Sequence, residues 1–401
     1  MSWAIASELA ELEAAGLLRR LRVLGSAQGT VVNLDGREVV NFSSNDYLGL
    51  ADSAELRAAF AEGVARYGAG SGASRLVCGG MSPHHELEEA LAAFKGTEAA
   101  LTFSSGFAVA LGTIPALMGA QDVIILDKLC HASLVDAARL SGATIRVFPH
   151  NHLGKLEKLL AASRGNARRV LVVTESIFSM DGDAAALAEI VELKDRHGAW
   201  LMLDEAHGVG VLGPQGRGLA AALGLEQRVE LQMGTLSKAL GLSGGYLAAS
   251  RNVIDLLINK ARSFIYTTAP PPALAYAAGV SLKLIQGAEG DRRRAKLNDH
   301  LQSFLAQGLG THASQSAILP LIIGNETLAM QLSARLLEEG FLIPAIRYPT
   351  VARGSARLRL TLSAAHEPFQ IEALAMRLRR ATAELADGEA LPEAFEVAEG
   401  G

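Results

Sequence analysis

The middle of the chain alternates short apolar runs with longer segments whose apolar residues recur at helical spacing. Seven of the short runs have the length and composition of buried strands: Ala99–Phe103, Val123–Leu126, Thr144–Phe148, Val170–Thr174, Trp200–Leu203, Leu231–Met233 and Gly245–Ala249. This alternation is typical of repeated βα units. We therefore predict an α/β fold with a mostly parallel seven-stranded sheet that helices cover on both faces.

The beginning of the chain follows another pattern. Leucines at helical spacing predict a helix from about Ser7 to Arg22, which ends in a basic cluster. Two shorter strand patterns follow at Thr30–Asn33 and Val39–Phe42, joined by the turn signal Asp35-Gly36. The side chains of Asn41–Leu50 favour bonds to their own backbone, which predicts a fixed loop.

The pattern changes again near the proline-rich crossing Phe264–Ala278, which a long helix follows. Beyond it, α and β patterns mix, with strand candidates at Ser316–Ile323, Phe341–Ile346 and Arg357–Leu362. We predict four units: an N-terminal helical arm over residues 1–50, a large domain over 51–284, a smaller α+β C-terminal domain over 285–385 and a frayed tail over 386–401.

Composition narrows the class of protein. The chain has 401 residues, of which 49% are hydrophobic and 20% charged, as in ordinary soluble globular proteins. Its net charge of -5 argues against a nucleic-acid partner, and no apolar run is long enough to span a membrane. Cys78 and Cys130 lie far apart without metal-ligand spacing. We expect a cytoplasmic protein with reduced cysteines and no metal site.

Candidate chemistry follows the ends of the predicted strands, where open parallel sheets bind their ligands. A possible phosphate-binding turn, Ser104–Phe107, opens a helix, and His131 follows the second strand. The segment Asp204–Gly208 contains a carboxylate and a second histidine, His207. Any one of these signals is weak, but together they indicate a site at one edge of the sheet.

Lys238 is the most distinctive residue of this set. It lies between Gly234-Thr235 and Gly241, in a segment rich in small and hydroxylated residues. Glycines allow a bulky group to approach the backbone, and a lysine in such a pocket is a candidate for a Schiff base. Taken alone, the stretch fits a glycine-rich loop with a solvated lysine equally well.

Six segments carry a resemblance to a known family: SSNDYLGL, GSGASRLVCGG, ESIFSMDGD, DEAHGVGVLG, MGTLSKALGLSGG and YPTVARGSARLRLTLSAAHE. In this order, from about residue 20 to residue 380, the chain resembles the α-oxoamine synthases. These are fold-type I transferases that depend on pyridoxal 5′-phosphate (PLP). The resemblance implies catalytic roles for Lys238, His131 and Asp204.

The resemblance also implies how PLP is held. Lys238 would bind PLP covalently and then act as a base, while Asp204 would pair with the pyridine nitrogen. His207 resembles the residue that bonds the phenolic oxygen, and His131 the residue that stacks on the ring. The remaining cofactor-binding residues would be Ser105, Gly106, Phe107 and Thr235 at the phosphate, and Ser179 at the phenolic or substrate side.

Substrate binding is assigned in the same way. Arg357 and Arg359 alternate on one face of a predicted strand, and Arg359 matches the residue that grips the α-carboxylate. An ordinary salt bridge is the alternative for these arginines. Arg347 and Thr350 lie beside Arg359 in the family pattern, Asn45 and His131 would face the substrate, and Arg19 would meet the acyl group. Thr267 would reach the phosphate of a neighbouring subunit, which implies a homodimer with shared sites.

The substrates follow from the branch of the family that the chain resembles most. Around Ser43–Leu50 and Arg357–His366 it resembles enzymes that condense L-alanine with pimeloyl-CoA or pimeloyl-acyl carrier protein. Rivals within the family are glycine C-acetyltransferase, 5-aminolevulinate synthase and serine palmitoyltransferase. Rivals of other classes are a PLP-binding regulator and an α/β hydrolase. The regulator would need a DNA-binding helix-turn-helix, which we do not expect the roughly 40 residues before NFSSNDYLGL to supply, and the hydrolase would need a G-x-S-x-G elbow between a strand and a helix, which is not present.

Overall fold

The computed structural model describes residues 4–15, 17–309 and 316–386. The predicted tail lies outside the described residues except for Ala386. Within the described part of the chain, no helix has both the length and the apolarity needed to cross a membrane.

The first helix is shorter than the leucine spacing predicts. Helix α1 (Ile5–Ala14) ends at Ala14 rather than near Arg22. The backbone N–H groups of Leu17 and Leu18 both bond the carbonyl of Leu12, at 2.7 and 3.1 Å, which closes the helix. Leu21 is 99% exposed, so it does not pack on the residues that the structure describes.

The predicted hairpin is present. Strands β1 (Val31–Leu34) and β2 (Arg37–Asn41) pair antiparallel around Asp35, whose φ of 50° is left-handed. Helices α2 (Ala54–Tyr67) and α3 (Ser82–Lys95) then flank the glycine-rich segment, which contains one π-helical turn, Arg75–Gly79.

All seven predicted strands form one sheet. They are β3 (Ala99–Phe103), β4 (Val123–Asp127), β5 (Thr144–Phe148), β6 (Val170–Glu175), β7 (Trp200–Asp204), β8 (Leu231–Thr235) and β9 (Gly245–Ala249). Their order is β3-β9-β8-β7-β6-β4-β5, and only β9 runs antiparallel to its neighbours. The mostly parallel sheet is therefore confirmed.

Helices cover both faces of this sheet. They are α4 (Gly106–Leu117), α5 (Ala132–Ser141), α6 (Leu153–Ser163), α7 (Leu187–His197), α8 (Leu219–Ala222), α9 (Arg251–Lys260) and α10 (Arg262–Ile265), with 3₁₀ turns at Pro214–Gly216 and Glu226–Arg228. Ile124 and Leu126 pack into one core, whereas Ile125, between them, packs into another. Because both faces are buried, the strands read as continuous apolar runs.

Two further sheets occur among the described residues, and strands from the second half of the chain take part in both. The elements after α10 are α11 (Pro272–Gln286), α12 (Ala288–Leu305), β10 (Ile318–Gly324), α13 (Glu326–Glu338), β11 (Phe341–Leu342), β12 (Ala345–Ile346), β13 (Ala356–Thr361) and α14 (Pro368–Ala386). The prediction of one strand over Phe341–Ile346 is wrong. Pro344 interrupts it, and the chain changes sheets there: β11 pairs with β2, and β12 pairs with β13.

Candidate active site

Two acidic residues lie at the carboxyl ends of adjacent strands. Glu175 ends β6 and Asp204 ends β7, and the two are paired in register. Both side chains are buried, at 3% and 5% exposure. Asp204 Oδ1 accepts a bond from the N–H of Ala206 at 2.9 Å, which fixes its direction.

Lys238 follows the next strand, β8, in a tight turn. The N–H of Gly241 bonds the carbonyl of Lys238 at 2.8 Å, and the φ of Gly241 is +73°, where a side chain would also meet Leu50 at 2.7 Å. Lys238 and Asn45 both line a cavity of about 650 Å³. The turn thus brings Lys238 to the wall of a cavity that the loop after β2 also lines.

The charges around Lys238 shape its proton affinity. Burial lowers the pKa of Lys238, the nearby carboxylates of Asp204 and Glu175 raise it, and Arg359 lowers it further, with burial the largest effect. An amine with a lowered pKa is more often neutral, as Schiff-base formation and proton removal require.

The two carboxyl groups differ in state. Burial raises the pKa of Asp204, but the charge of Lys238 opposes this. Burial raises the pKa of Glu175 far above its usual value, and the charge of Asp204 raises it further. Two adjacent buried carboxylates cannot both ionise readily, so we assign the proton to Glu175 and the charge to Asp204.

His131 caps helix α5 at this edge. Its N–H donates to Glu175 Oε1 at 2.5 Å, and its Nδ1 accepts from the N–H of Ser133 at 3.2 Å. Partial burial lowers the pKa of His131, against the charge of Asp204. His131 is exposed, and its Nδ1 also lies 2.8 Å from the hydroxyl of Ser133.

His207 is buried beside the loop that follows β2. Its Nδ1 lies 2.5 Å from the hydroxyl of Tyr47. Burial lowers the pKa of His207 well below its usual value, and the charges of Lys238 and Arg359 act in the same direction. The imidazole is therefore neutral.

The start of helix α4 supplies an anion site. Ser105 caps the helix by accepting from the N–H of Ala108 at 3.1 Å, and the first N–H groups of the helix, at Gly106 and Phe107, have no intrahelical partner. A Cβ on Gly245 would lie 2.8 Å from the Cα of Gly106, so β9 approaches this turn closely. Thr235 lies beside it, with its hydroxyl bonded to the carbonyl of Gly244 at 2.8 Å.

Arg359 and Arg357 both bond the loop after β6, but with different partners. Arg357 forms an ion pair with Asp181 at 2.7 Å, which matches the salt-bridge alternative. Arg359 donates from Nε to the carbonyl of Ser179 at 2.6 Å and from a terminal nitrogen to Asn45 Oδ1 at 3.1 Å. Within residues 4–15, 17–309 and 316–386 it has no carboxylate partner, so its buried guanidinium can receive one from a ligand.

The remaining predicted residues are less closely joined to this centre. Arg19 bonds the hydroxyl of Thr350 at 3.4 Å, which brings these two predictions together. Arg347 has a buried Nε without a bond among the described residues. The exposed hydroxyl of Thr267 bonds only the carbonyl of Thr268 in this part of the chain, at 3.4 Å, and the Phe107 side chain is 43% exposed.

Comparison with known proteins places this site in a family. Residues 37–378 match the family profile described as aminotransferase class I and II. The chain belongs to this family. Its α-oxoamine synthase relatives include an 8-amino-7-oxononanoate synthase of Geobacter sulfurreducens, 50% identical over 392 residues that cover 96% of this chain and 99% of that protein. The same enzyme of Herminiimonas arsenicoxydans is 47% identical over 94% of this chain and 98% of its own length.

Solved structures of this aminotransferase family have the same fold. A serine palmitoyltransferase solved with PLP is 29% identical and superposes with a TM-score of 0.89 over 96% of this chain and 98% of its own. An 8-amino-7-oxononanoate synthase from Francisella tularensis, also 29% identical, gives a TM-score of 0.74 over 87% of this chain and 98% of its own. The fold-type I expectation is confirmed.

Three residues of this family member's site escaped the sequence reasoning. Glu175 and Tyr47 lie inside segments that the resemblance uses, but only their contacts reveal their roles. His150 follows strand β5, so the strand-end rule applied to β5 would have found it. Its ring bridges Asp127, at 3.1 Å, and Asp183, at 2.7 Å, which ties two loops of the site together.

Proposed function

We propose that this chain condenses L-alanine with a pimeloyl thioester to form 8-amino-7-oxononanoate, CO₂ and the free thiol carrier, with PLP as its cofactor. One observation carries this proposal. Lys238, whose amine has a lowered pKa, lies at a sheet edge with Asp204 and with the buried guanidinium of Arg359, which has no carboxylate partner among the described residues. The choice of alanine and pimeloyl thioester rests on relatives of near 50% identity that bear the name of this enzyme.

The residues present fit PLP. The helix start at Ser105-Gly106 matches the phosphate, and Thr235 lies beside it. In this proposal Asp204 would accept from the pyridine N–H, His207 would donate to the phenolic oxygen and His131 would stack on the ring. The hydroxyls of Thr174 and Ser176, buried near this edge, have no bond among the described residues and leave further polar capacity.

Bound PLP draws electrons from the α-carbon of an amino acid, which permits removal of its proton and loss of its carboxylate. The chain supplies position and proton transfer. Arg359 grips the α-carboxylate with two parallel N–H donors and so orients the α-carbon. The amine of Lys238, whose pKa burial lowers, accepts the α-proton at Nζ. The buried carboxyl of Asp204 would pair with the pyridine nitrogen and so support the electron-withdrawing action of the ring.

The acyl chain would occupy the same 650 Å³ cavity that Lys238 faces. Leu24, Leu242 and Leu342 give part of its wall an apolar surface, which suits a methylene chain. Arg19 and Thr350, which bond each other, are proposed to meet the acyl substrate. Coenzyme A and acyl carrier protein present the same thioester, and a direct comparison of the two donors decides between them.

A homodimer with shared sites is also proposed. The segment of Thr267 contacts the glycine-rich loop through a bond from the N–H of Ala269 to the carbonyl of Ala73, at 3.0 Å. Val77 and Tyr266 on these two segments are 77% and 72% exposed, and such apolar exposure is typical of an interface. Sedimentation at assay concentration tests this, and a monomer that retains full activity would contradict it.

Steady-state assays test the substrates. Alanine, glycine and serine are each paired with acetyl, succinyl, palmitoyl and pimeloyl thioesters. We expect the highest kcat/KM for alanine with a pimeloyl thioester, and a preference over glycine of about 10- to 200-fold, because one methyl group in a pocket gives about 1–3 kcal/mol. A higher value for glycine with acetyl-CoA, or for serine with palmitoyl-CoA, would overturn the assignment.

Borohydride reduction tests the cofactor lysine separately. The reduced holoenzyme should carry the label on the peptide that contains Lys238, and Lys238→Ala should lose both the label and turnover. Lys128, which also follows a strand of the sheet, provides the control: Lys128→Ala should keep the label. Labelling of another lysine would refute the role of Lys238 without affecting the substrate assignment.

A further inference from the structure

A buried chain of polar groups connects His207 to the arginine of the carboxylate site. The Tyr47 hydroxyl lies 2.5 Å from His207 Nδ1 and 3.3 Å from Asn45 Oδ1. The same Oδ1 accepts from Arg359 at 3.1 Å. Tyr47 is 1% exposed and His207 is 6% exposed, so water does not compete for these bonds.

The Tyr47 hydroxyl has one proton for two possible acceptors in this network of polar groups. A tyrosine hydroxyl carries one proton, so Tyr47 can donate either to His207 Nδ1 or to Asn45 Oδ1. The contact with Nδ1 is much the shorter, and Oδ1 already accepts a hydrogen bond from Arg359. The hydroxyl does not ionise, because burial raises the pKa of Tyr47 to about 12. His207 is neutral and holds a single ring proton.

We infer that Tyr47 is a positioning residue that fixes His207 in the tautomer with its proton on Nε2. With Nδ1 occupied as an acceptor, the ring presents an N–H donor on its other side. An N–H donor at Nε2 suits a phenolate oxygen, and the neutral ring adds no charge to the site. Only the identification of the acceptor as the phenolate oxygen of PLP rests on the proposed function. The tautomer of His207 depends on the protein's own residues.

The surrounding backbone holds Tyr47 in place. The carbonyl of Tyr47 accepts from the N–H of Ala364 at 2.8 Å. The next two carbonyls, of Leu48 and Gly49, accept from Arg293 at 2.7 and 3.0 Å. Loss of the hydroxyl alone should therefore leave the loop intact, and Tyr47→Phe removes the bond to His207 together with the longer contact to Asn45.

The first test reads the tautomer directly. Holoenzyme with ¹⁵N-labelled histidine is examined by long-range ¹H–¹⁵N spectroscopy, with His207→Gln to assign the signals. We expect the Nε2–H pattern for His207 in the parent and a mixture of tautomers in Tyr47→Phe. Tyr246→Phe is the matched control, because Tyr246 is equally buried and its hydroxyl has no bond among the described residues. An Nδ1–H pattern in the parent, or an unchanged pattern in Tyr47→Phe, would overturn the inference.

A second variant keeps the test decisive if Tyr47→Phe does not fold. Asn45→Asp turns the weaker acceptor of the Tyr47 proton into a carboxylate, so the hydroxyl should turn toward residue 45 and His207 should shift toward Nδ1–H. Retention of a pure Nε2–H pattern in that variant would show that Tyr47 does not control the ring.

The bound cofactor gives an independent signal. In Tyr47→Phe, the midpoint of the pH titration of the visible absorption band should rise by about 0.4–1 pH unit, the equivalent of one hydrogen bond to the phenolic oxygen. KM for alanine should change little, because Arg359 keeps its place. A merely structural role would leave the midpoint unchanged. Failure of the substrate assignment would leave both the ¹⁵N pattern and this midpoint as predicted.

Discussion

Replacement of His150 by glutamine should make the protein less stable in a way that depends on pH. The imidazole bonds Asp127 from Nδ1 at 3.1 Å and Asp183 from Nε2 at 2.7 Å, and its ring edge packs on Phe178. The two carboxylates raise the pKa of His150 from 6.5 to about 10, against the effect of burial. The ring is therefore a cation between two anions near neutral pH. Glutamine can bond one of them but supplies no charge.

The size of the effect follows from the raised pKa. A rise of roughly 3.5 pH units corresponds to an upper limit of about 5 kcal/mol. The His150 side chain is 24% exposed and Asp183 28%, so solvent screens part of the attraction. We expect about 2–3 kcal/mol of unfolding free energy from the charge, between the values for exposed pairs and those for broken buried pairs.

The charge on His150 stabilises the folded protein most at low pH. Because the folded protein binds the proton more tightly than the unfolded chain, the contribution is complete below pH 6.5 and declines as the pH rises toward 10. Urea unfolding of the parent and His150→Gln at a series of pH values should give a difference that is largest at pH 6 and shrinks by pH 10. His85→Gln, at an exposed histidine, is the control. A difference that stays constant over this range would refute a charged His150.

Three further substitutions probe the centre of the site. Asp204→Asn should retain PLP but exchange the α-proton of alanine about 10- to 150-fold more slowly, since a charged hydrogen bond is worth about 1.5–3 kcal/mol; exchange at the parental rate would exclude Asp204 as the pyridine partner. Arg359→Lys should raise KM for alanine at least about tenfold, because lysine cannot form two parallel bonds to a carboxylate; an unchanged KM would place the carboxylate elsewhere. Glu175→Gln copies the protonated acid, so it should keep kcat within about threefold; a larger loss would mean that Glu175 carries charge.

The strands of the large sheet could be predicted because burial on both faces leaves an unbroken apolar signature, as in Val170–Glu175. The ends of the chain could not. Leu17 and Leu21 continue a helical spacing, but the helix ends where the N–H groups of Leu17 and Leu18 bond the carbonyl of Leu12. Spacing alone does not show whether an apolar stripe has a surface to cover. Pro344 indicates the break between β11 and β12 in the sequence itself. The change of sheet depends on the pairing of β11 with β2 and of β12 with β13, which the local sequence does not show.

The search for ligand-binding residues just after each predicted strand located Asp204, Lys238 and His131. Parallel strands bring the residues at their carboxyl ends to one edge of the sheet. The roles of Tyr47 and Glu175 depend on contacts across 160 and 44 positions of the chain, respectively. No local pattern indicates which tyrosine meets which histidine. The roles of the site residues stay predictions, and those of Thr267, Phe107 and Arg347 further require a partner subunit or a ligand.

The sheet that joins β1 and β2 to β11 has a consequence for synthesis on the ribosome. Ser43 bonds the carbonyl of Leu342, 299 positions later, and the N–H of Phe42 bonds the same carbonyl. At about 5–20 residues per second, the early strands would wait roughly 15–60 s for their partner to emerge. The large sheet can form during that interval, but the loop of Asn45 and Tyr47 cannot take its final shape. The nascent chain should therefore become competent for substrate only after Leu342 has emerged, with the segment of Phe42 and Ser43 among the last to reach its final structure.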